Sequence, residues 1–380
     1  TQRVSTDQVE GFPSVRHLVP MLSLDNSYDA EDLRDFDERM HKLTDIPLDR
    51  DIEYVVEPKF DGGSIALIYE DDQYVRAATR GNGEVGDEIT ENIRALRSVP
   101  LKADFSSHGI YKAELRGEAL ISKDRFEEVN KRREGEGETV FANPRNAATG
   151  GLRMKDPTAT AKREVEVFIY HLGYAEDANG KNITDELENH MNGVELLTQL
   201  GFKVADENIS LCPNIDEAVD KCIEWEERRE DYPYEIDGTV VKANSLKLQE
   251  KAGSTAHHPR WAIAFKFKAK QATTKLLKVE FQVGKIGSIT PVGKVEPVSL
   301  AGVTISSVTL HNEDFITSKD IRIGDTVVVE RAGDVIPYIV KSLPDLRDGN
   351  EEKIEFPSTC PCPVHSELKR LETEAAWRCI

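Results

Sequence analysis

Cysteine is scarce in this chain, five residues in 380, which excludes a disulfide-stapled secreted fold. Cys212 and Cys222 lie in the body of the sequence, while Cys360, Cys362 and Cys379 crowd its end. That distribution points to a reducing compartment and a terminal metal motif. Long apolar runs are missing, and none approaches the roughly 20 residues needed to span a membrane. There is no internal repeat, no low-complexity segment and no signal peptide. Thr1 in place of Met reads as the start of an excised piece. Positive charge is also in deficit: 49 Lys and Arg stand against 69 Asp and Glu, a net charge of −20. That balance argues against a wholesale nucleic-acid binder, although binding is decided locally. Acid concentrates in 25–51, 127–138 and 224–237, whereas Lys266–Lys278 has five lysines and no acid, a candidate phosphate-facing patch.

What is present describes a soluble globular protein long enough for two or three domains. A helix follows Ser27 or Asp29, either of which could cap it, with Leu33, Phe36 and Met40 on one face. Residues 53–120 alternate short β-rich runs with Gly turns, as an antiparallel sheet would. Ser122–Arg133 reads as a capped amphipathic helix and Val165–Gly173 as a strand. A helix ending at Leu200 takes Thr184 as N-cap and Gly201 as its stop. Ile215–Glu230 is a further helix; Ile236–Ala243 and Trp261–Phe267 are strands. After Ala269 helical periodicity disappears. Short β runs at 276–284, 288–292, 294–300, 303–310, 326–330 and 336–343 suggest a small barrel of OB type.

The residue with most to say is Lys59, in Glu57-Pro58-Lys59-Phe60-Asp61-Gly62, just after the apolar run Tyr54-Val55-Val56. Pro58 and the Gly pair suggest a strand, a tight turn and a second strand over 64–69. A lysine amine is almost wholly protonated at neutral pH. It becomes a nucleophile when its pKa is lowered or a base removes its proton. Glu57 and Asp61 are the local candidates to position it or to bind a metal. Carboxylates alone would raise its pKa, so cations elsewhere must offset them. Further candidates follow in order. Arg80-Gly81-Asn82-Gly83 is a turn aiming an arginine inward. Leu115-Arg116-Gly117-Glu118 ends a strand with a carboxylate. Phe141–Arg153 reads as a polar, Gly-rich loop with Arg145 and Arg153. Glu235–Lys242 and Trp261–Phe267 are strands carrying Lys242 and Lys266.

Together these segments resemble the adenylation motifs of the nucleotidyltransferase superfamily, and nearly the whole chain is similar to the bacterial NAD-dependent DNA ligases. The likeness begins at Thr1-Gln2-Arg3-Val4, passes through Pro20–Asn26 and reaches Cys379. It implies an α+β fold: an adenylation (nucleotidyltransferase, ATP-grasp-like) domain of antiparallel sheets and helices over 1–268, then an all-β OB-fold barrel over 269–345. Residues 346–380 would be a linker and the truncated start of a zinc finger. By the same resemblance Lys59 is the nucleophile that takes AMP from NAD. Ser23, Leu24 and Glu57 belong to the adenine site, Arg80 steers ribose and phosphate, and Glu118 binds the ribose. Lys242 and Lys266 are α-phosphate lysines, whose charge would lower the pKa of Lys59. Arg145 and Arg153 contact nicked DNA. Asp61, with Glu118, is the expected place for Mg²⁺ or Mn²⁺. The implied reaction seals nicks in double-stranded DNA, without sequence specificity, during replication and repair. The protein would act as a monomer, in the cytoplasm and at the nucleoid, with no membrane partner.

The sequence departs from the family pattern in places. A helical segment that grips the nicotinamide mononucleotide half would precede Thr1, so slow reaction with NAD is expected. Asn82 replaces an Asp, Gly63-Ser64 replaces a small apolar pair, and Lys285 replaces an arginine, which loses a bidentate phosphate contact. The family places Cys-x-x-Cys and two later cysteines on one Zn²⁺. Here Cys360 and Cys362 are two apart, and Cys362 and His365 have the Cys-x-x-His spacing. His365 or Cys360 is the substitute ligand beside Cys379, with the fourth expected beyond Ile380 and the tail disordered or metal-free. An ATP-dependent ligase or capping enzyme shares the Lys-x-Asp-Gly logic, but 22–26 and the Cys tail favour the NAD group. A DNA-binding module with a dead active site would show a disrupted lysine pocket, and none of those residues is lost.

Overall fold

The computed structural model describes residues 11–284, 287–300, 303–331, 337–362, 365–370 and 376–379; Lys285 and the Thr1–Val4 similarity lie outside them. Two compact units divide between Phe267 and Lys268. No helix among the described residues is long and apolar enough to cross a membrane.

The first unit is built on two sheets. One has the order Asp25–Ser27, Ala262–Lys266, Ile236–Ala243, Tyr54–Phe60, Ser210–Cys212. The other has the order Gln73–Thr79, Gly63–Glu70, Lys112–Leu120, Glu166–Glu176, antiparallel throughout. Strand alternation sorts the side chains. Tyr54, Val56 and Phe60 join a core with Leu33, Phe36 and Met40 of helix Ala30–Thr44 and with Ala218, Cys222 and Trp225 of helix Ile215–Arg228. Each large apolar side chain buried there contributes roughly 1.5–3 kcal/mol. Glu57 and Lys59, one residue out of phase, line a cavity instead. A second core joins Ile65, Leu67, Leu115 and Ile169 to Ala147, Leu152, Val194 and Leu197.

Of the two candidate caps for the first helix, Asp29 is the one used: its side chain accepts from the amides of Glu31 and Asp32. Ser27 sits in a strand and its hydroxyl donates to the Ala264 carbonyl, 3.2 Å away. Three expectations are corrected. Pro58 does not end its strand, which runs on to Phe60. Strand Ser210–Cys212 pairs only with Tyr54–Val56, so beyond Val56 that edge has no strand partner among the described residues and a missing N–H costs nothing. Phe141–Arg153 is not a loop: Pro144–Leu152 is a helix, with Pro144 in its first turn and the Asn143 side chain accepting from Asn146 N at 2.7 Å. The buried Ala147, Ala148 and Leu152 outweigh its glycines. Thr184 does not cap the helix that ends near Leu200. Its hydroxyl donates to Asn182 Oδ1 and accepts from Ala175 N, and Thr184–Leu187 is an isolated 3-10 turn. The helix is His190–Gln199, capped by Asn189, with Gly201 beyond it at φ +84°.

In the second unit five strands close a barrel in the order Lys270–Val283, Ile289–Leu300, Val303–Thr309, Tyr338–Ser342, Thr326–Arg331. The runs 288–292 and 294–300, read from sequence as separate strands, form one strand. A register shift between Lys294 and Val298 absorbs the irregularity around Pro297. A short helix, Glu313–Ser318, capped by Asn312, was not foreseen; six residues are too few to show a period. After the barrel, Glu352–Lys353 pairs with Arg322–Ile323, and Leu368–Lys369 pairs with Arg378–Cys379.

Candidate active site

In the first unit a cavity of about 410 Å³ is lined by residues of both sheets. Lys59, Glu57, Lys242 and Lys266 come from the five-stranded sheet, Ser64 and Glu118 from the four-stranded one. Ser23, Leu24, Asp61, Arg80 and Arg145 also reach it; Arg153 is not in the lining.

Lys59 owes its setting to a β-bulge. Strand Ile236–Ala243 pairs with Tyr54–Phe60 through Ile236↔Phe60 and Gly238↔Lys59, so Asp237 is the extra residue. In a regular strand Asp237 would share the phase of Val241 and Ala243, which lie in the helix-covered core. The bulge turns its carboxylate to the cavity side. There Asp237 Oδ1 lies 2.9 Å from Lys59 Nζ, and Oδ2 pairs with Lys266 Nζ. Gly238 is required at this crossing, because a Cβ would stand 2.1 Å from the Phe265 carbonyl oxygen. Burial pulls the Lys59 pKa down, but the charge and hydrogen bonds of Asp237, with Glu118 behind them, outweigh it and the pKa is raised. The expectation that neighbouring cations lower it is therefore corrected, because one carboxylate faces both lysines. Lys266 moves the other way, held below its ordinary value by burial and by repulsion from Lys59.

Lys242 stands apart from that pair. Its Nζ forms an ion pair with Glu57 Oε1, while His190 Nε2 lies 3.2 Å from Glu57 Oε2. All three side chains are buried. Burial pushes the Glu57 pKa up, yet Lys242 and His190 outweigh it and hold the carboxylate below its ordinary value. Burial and the Lys242 charge both lower the His190 pKa, so its ring is neutral. His171 packs beside it, ring centres 5.7 Å apart, and Trp261 lies 6.2 Å from His171.

The segment carrying Ser23 and Leu24 is held from below. Leu18 N and Val19 N donate to the carboxylate of Glu114 at 2.8 and 3.3 Å. Arg116 Nη2 pairs with Glu114 at 2.7 Å and donates to the Val19 carbonyl. Farther along, Met21 N donates to Gly83 O and Ser23 N to His257 O. Gly83 belongs to the Arg80 turn, where Gly81 has φ +57° and no room for a Cβ. Asn82 does there what an Asp would do: its Oδ1 accepts from Glu84 N and Val85 N at 2.9 and 2.8 Å.

Glu118 accepts from Ser64 Oγ at 2.7 Å. Burial pushes its pKa up to about 7, against the pull of Ser64, Lys59 and Arg145, and Asp61 adds repulsion. Asp61 pairs with Arg145 Nη1 at 2.9 Å, and Arg153 Nε lies 3.5 Å from Asp87. In the second unit the thiols of Cys360, Cys362 and Cys379 lie within 4.8 Å of one another. His365 is not in that group: its Nδ1 is 3.2 Å from the Cys360 carbonyl oxygen. Lys278 of the lysine-rich run pairs with Glu280 at 2.6 Å.

Four contributors are not singled out by the sequence. Asp237 lay in plain view beside Gly238, but a bulge leaves no mark in a single sequence. His190 is hidden because Thr184 as N-cap starts the helix five residues early. Arg116 and Glu114 read as ordinary strand residues, and only their alternation with Glu118 hinted at a shared face.

Residues 9–270 match the family model of the NAD-dependent DNA ligase adenylation domain, and residues 273–351 that of the NAD-dependent DNA ligase OB-fold domain. A DNA ligase of Sulfurihydrogenibium azorense is 56% identical over 381 residues, which take in 100% of this chain and 54% of that protein. The DNA ligases of Persephonella marina and Aquifex aeolicus are 55% and 53% identical, again over 100% of this chain and over 53% and 52% of their own lengths. The chain thus spans about half the length of these relatives.

Proposed function

Because this chain belongs to the NAD-dependent DNA ligase family, we propose that it carries the nucleotidyl-transfer centre of a nick-sealing enzyme, with Lys59 as the nucleophile. Lys59 Nζ attacks the α-phosphorus of NAD, a P–N bond forms as the bond to nicotinamide mononucleotide breaks, and lysyl-AMP results. The AMP passes to the 5′-phosphate of a nick, restoring the amine. The 3′-hydroxyl then attacks that phosphate and expels AMP. The observation that carries this reading is the carboxylate of Asp237 shared between Lys59 and Lys266, two lysines that line a cavity of nucleotide size. Asp237 orients the nucleophile while Lys266 is close enough to neutralise charge growing at phosphorus. Proton loss from Lys59 comes first, since its raised pKa keeps it charged in the free protein.

Ser23, Leu24 and Glu57 are assigned to the adenine end, with Lys242 as the partner of Glu57 rather than of the phosphate. Arg80 and Glu118 are assigned to phosphate and ribose, Arg145 and Arg153 to the DNA. The repulsion between Asp61 and Glu118 suits a divalent cation, Mg²⁺ or Mn²⁺, which those two carboxylates would hold. Bound there, the cation would offset phosphate charge. The grouped thiols of Cys360, Cys362 and Cys379 are a soft donor set suited to Zn²⁺, to which they would supply three ligands. Nicked duplex DNA, met during replication and repair and without sequence preference, is the assigned partner of a monomeric, cytoplasmic, nucleoid-associated protein.

AMP transfer from labelled NAD compared with labelled ATP tests the assignment. Label on the protein from NAD and not from ATP is expected; the reverse would make the chain an ATP-dependent enzyme and overturn it.

A further inference from the structure

Glu57 is buried, ionised and gripped at both oxygens. Lys242 takes Oε1 and His190 takes Oε2. A carboxylate held at one oxygen can swing about that point; one held at both has its plane fixed. Each oxygen keeps a second lone pair, so the fixed group can still accept further hydrogen bonds, but only along directions set by its fixed plane. We infer that His190 is a positioning residue that makes the cavity discriminate between purine bases, by locking the Glu57 carboxylate against rotation. This rests on the reading of Glu57 as part of the adenine site.

The chemistry of the bases makes the lock matter. Adenine presents a 6-amino donor. Hypoxanthine presents a 6-oxo acceptor, with a donor at the adjacent N1–H. A fixed acceptor facing position 6 satisfies the first and opposes the second, because two buried acceptors would then be set against each other. A carboxylate free to pivot about Lys242 would turn to meet N1–H and accept both bases.

The lock is itself built firmly. His190 is the first residue of helix His190–Gln199, whose cap Asn189 accepts from Asn192 N at 2.8 Å. Its own amide donates to the Asn244 carbonyl at 2.7 Å, and Met191 N donates to Asn244 Oδ1 at 3.2 Å. Asn244 directly follows Lys242-Ala243, so one strand end seats both groups that hold Glu57. The His171 ring, tilted against His190, lies between it and Trp261, and both histidines have pKa values lowered by burial and by Lys242. A neutral His190 with its proton on Nε2 donates to Glu57 without adding a second cation to the buried pair. A charged imidazole would compete with Lys242, and an apolar residue would leave Oε2 loose.

The experiment titrates AMP and IMP into the whole chain, reading Trp261 fluorescence or heat, for the unmodified protein, His190→Leu and His190→Gln. The glutamine amide can reach Glu57 as the imidazole does. The unmodified protein is expected to bind AMP at least roughly tenfold more tightly than IMP. His190→Leu is expected to bring that ratio to within about threefold, chiefly by tightening IMP, and His190→Gln to restore most of it. A substitution that only loosened the fold would weaken both nucleotides together and leave the ratio intact, which would overturn the inference. So would equal binding of AMP and IMP by the unmodified protein. Binding of neither would count against the nucleotide reading itself, and is distinguished by that absence.

Discussion

At the scale of single residues, the account turns on how charges share partners. Asp237 is placed between two lysines, and its pKa is lowered because they outweigh the penalty of burial. The same carboxylate keeps Lys59 protonated in the free protein. Replacing Asp237 by Asn removes the charge that raises the Lys59 pKa. The rising limb of the pH profile for lysine adenylation should therefore move to lower pH, while its plateau falls because the amine is no longer aimed. An unshifted limb in single-turnover labelling across pH would show that Asp237 does not set the Lys59 charge. Glu118 gives a stability test. Its folded pKa, about 7, exceeds its unfolded value of about 4.3, so the folded state binds the proton more tightly. That stabilising contribution is complete below the unfolded pKa and is lost as pH rises through the folded one. Glu118→Gln should raise the melting temperature relative to the parent at pH 8, by the equivalent of on the order of 3 kcal/mol, and the difference should vanish below about pH 4. A difference independent of pH would contradict it.

At the scale of elements, polar caps rather than apolar periods decided what could be read. The first helix was legible because Leu33, Phe36 and Met40 repeat at helical spacing and an Asp precedes them. The Pro144–Leu152 helix was not, since two glycines and two arginines resemble a loop and only Asn143-Pro144 announces its start. Asn143→Ala should accordingly cost about 1 kcal/mol in urea unfolding, with a larger effect on the presentation of Arg145 than of Arg80. An unchanged midpoint would show that burial of Ala147, Ala148 and Leu152 suffices. The bulge at Asp237 is the opposite case. It sits in a strand whose limits, Ile236–Ala243, were read correctly, yet nothing in the alternation of that strand reveals that the phase slips by one. The fold was legible where a pattern repeats, and the site was legible as a set of chemical types. What stayed hidden was which lysine meets which carboxylate, because that depends on pairing across strands nearly 180 residues apart in sequence.

At the scale of the whole molecule, the two units separate the assigned roles. Among the described residues the cavity is lined from the first, and the thiol group belongs to the second. Loss of a zinc ligand should therefore spare the cavity. Cys362→Ser should lower the uptake of added Zn²⁺, measured by elemental analysis, while AMP binding stays within about twofold. A matching loss of AMP affinity would break that separation. In the sequence a β-only pattern replaces alternating helices and strands after Ala269, and the two compact units divide between Phe267 and Lys268.

Lys59 is proposed above as the residue that carries AMP. Intact mass and peptide mapping after incubation with NAD and Mg²⁺, followed by nicked DNA, test it most directly. The peptide containing Lys59 should gain one AMP, absent in Lys59→Ala and lost when nicked DNA is added. An adduct on another residue, or one of equal yield in Lys59→Ala, would contradict it.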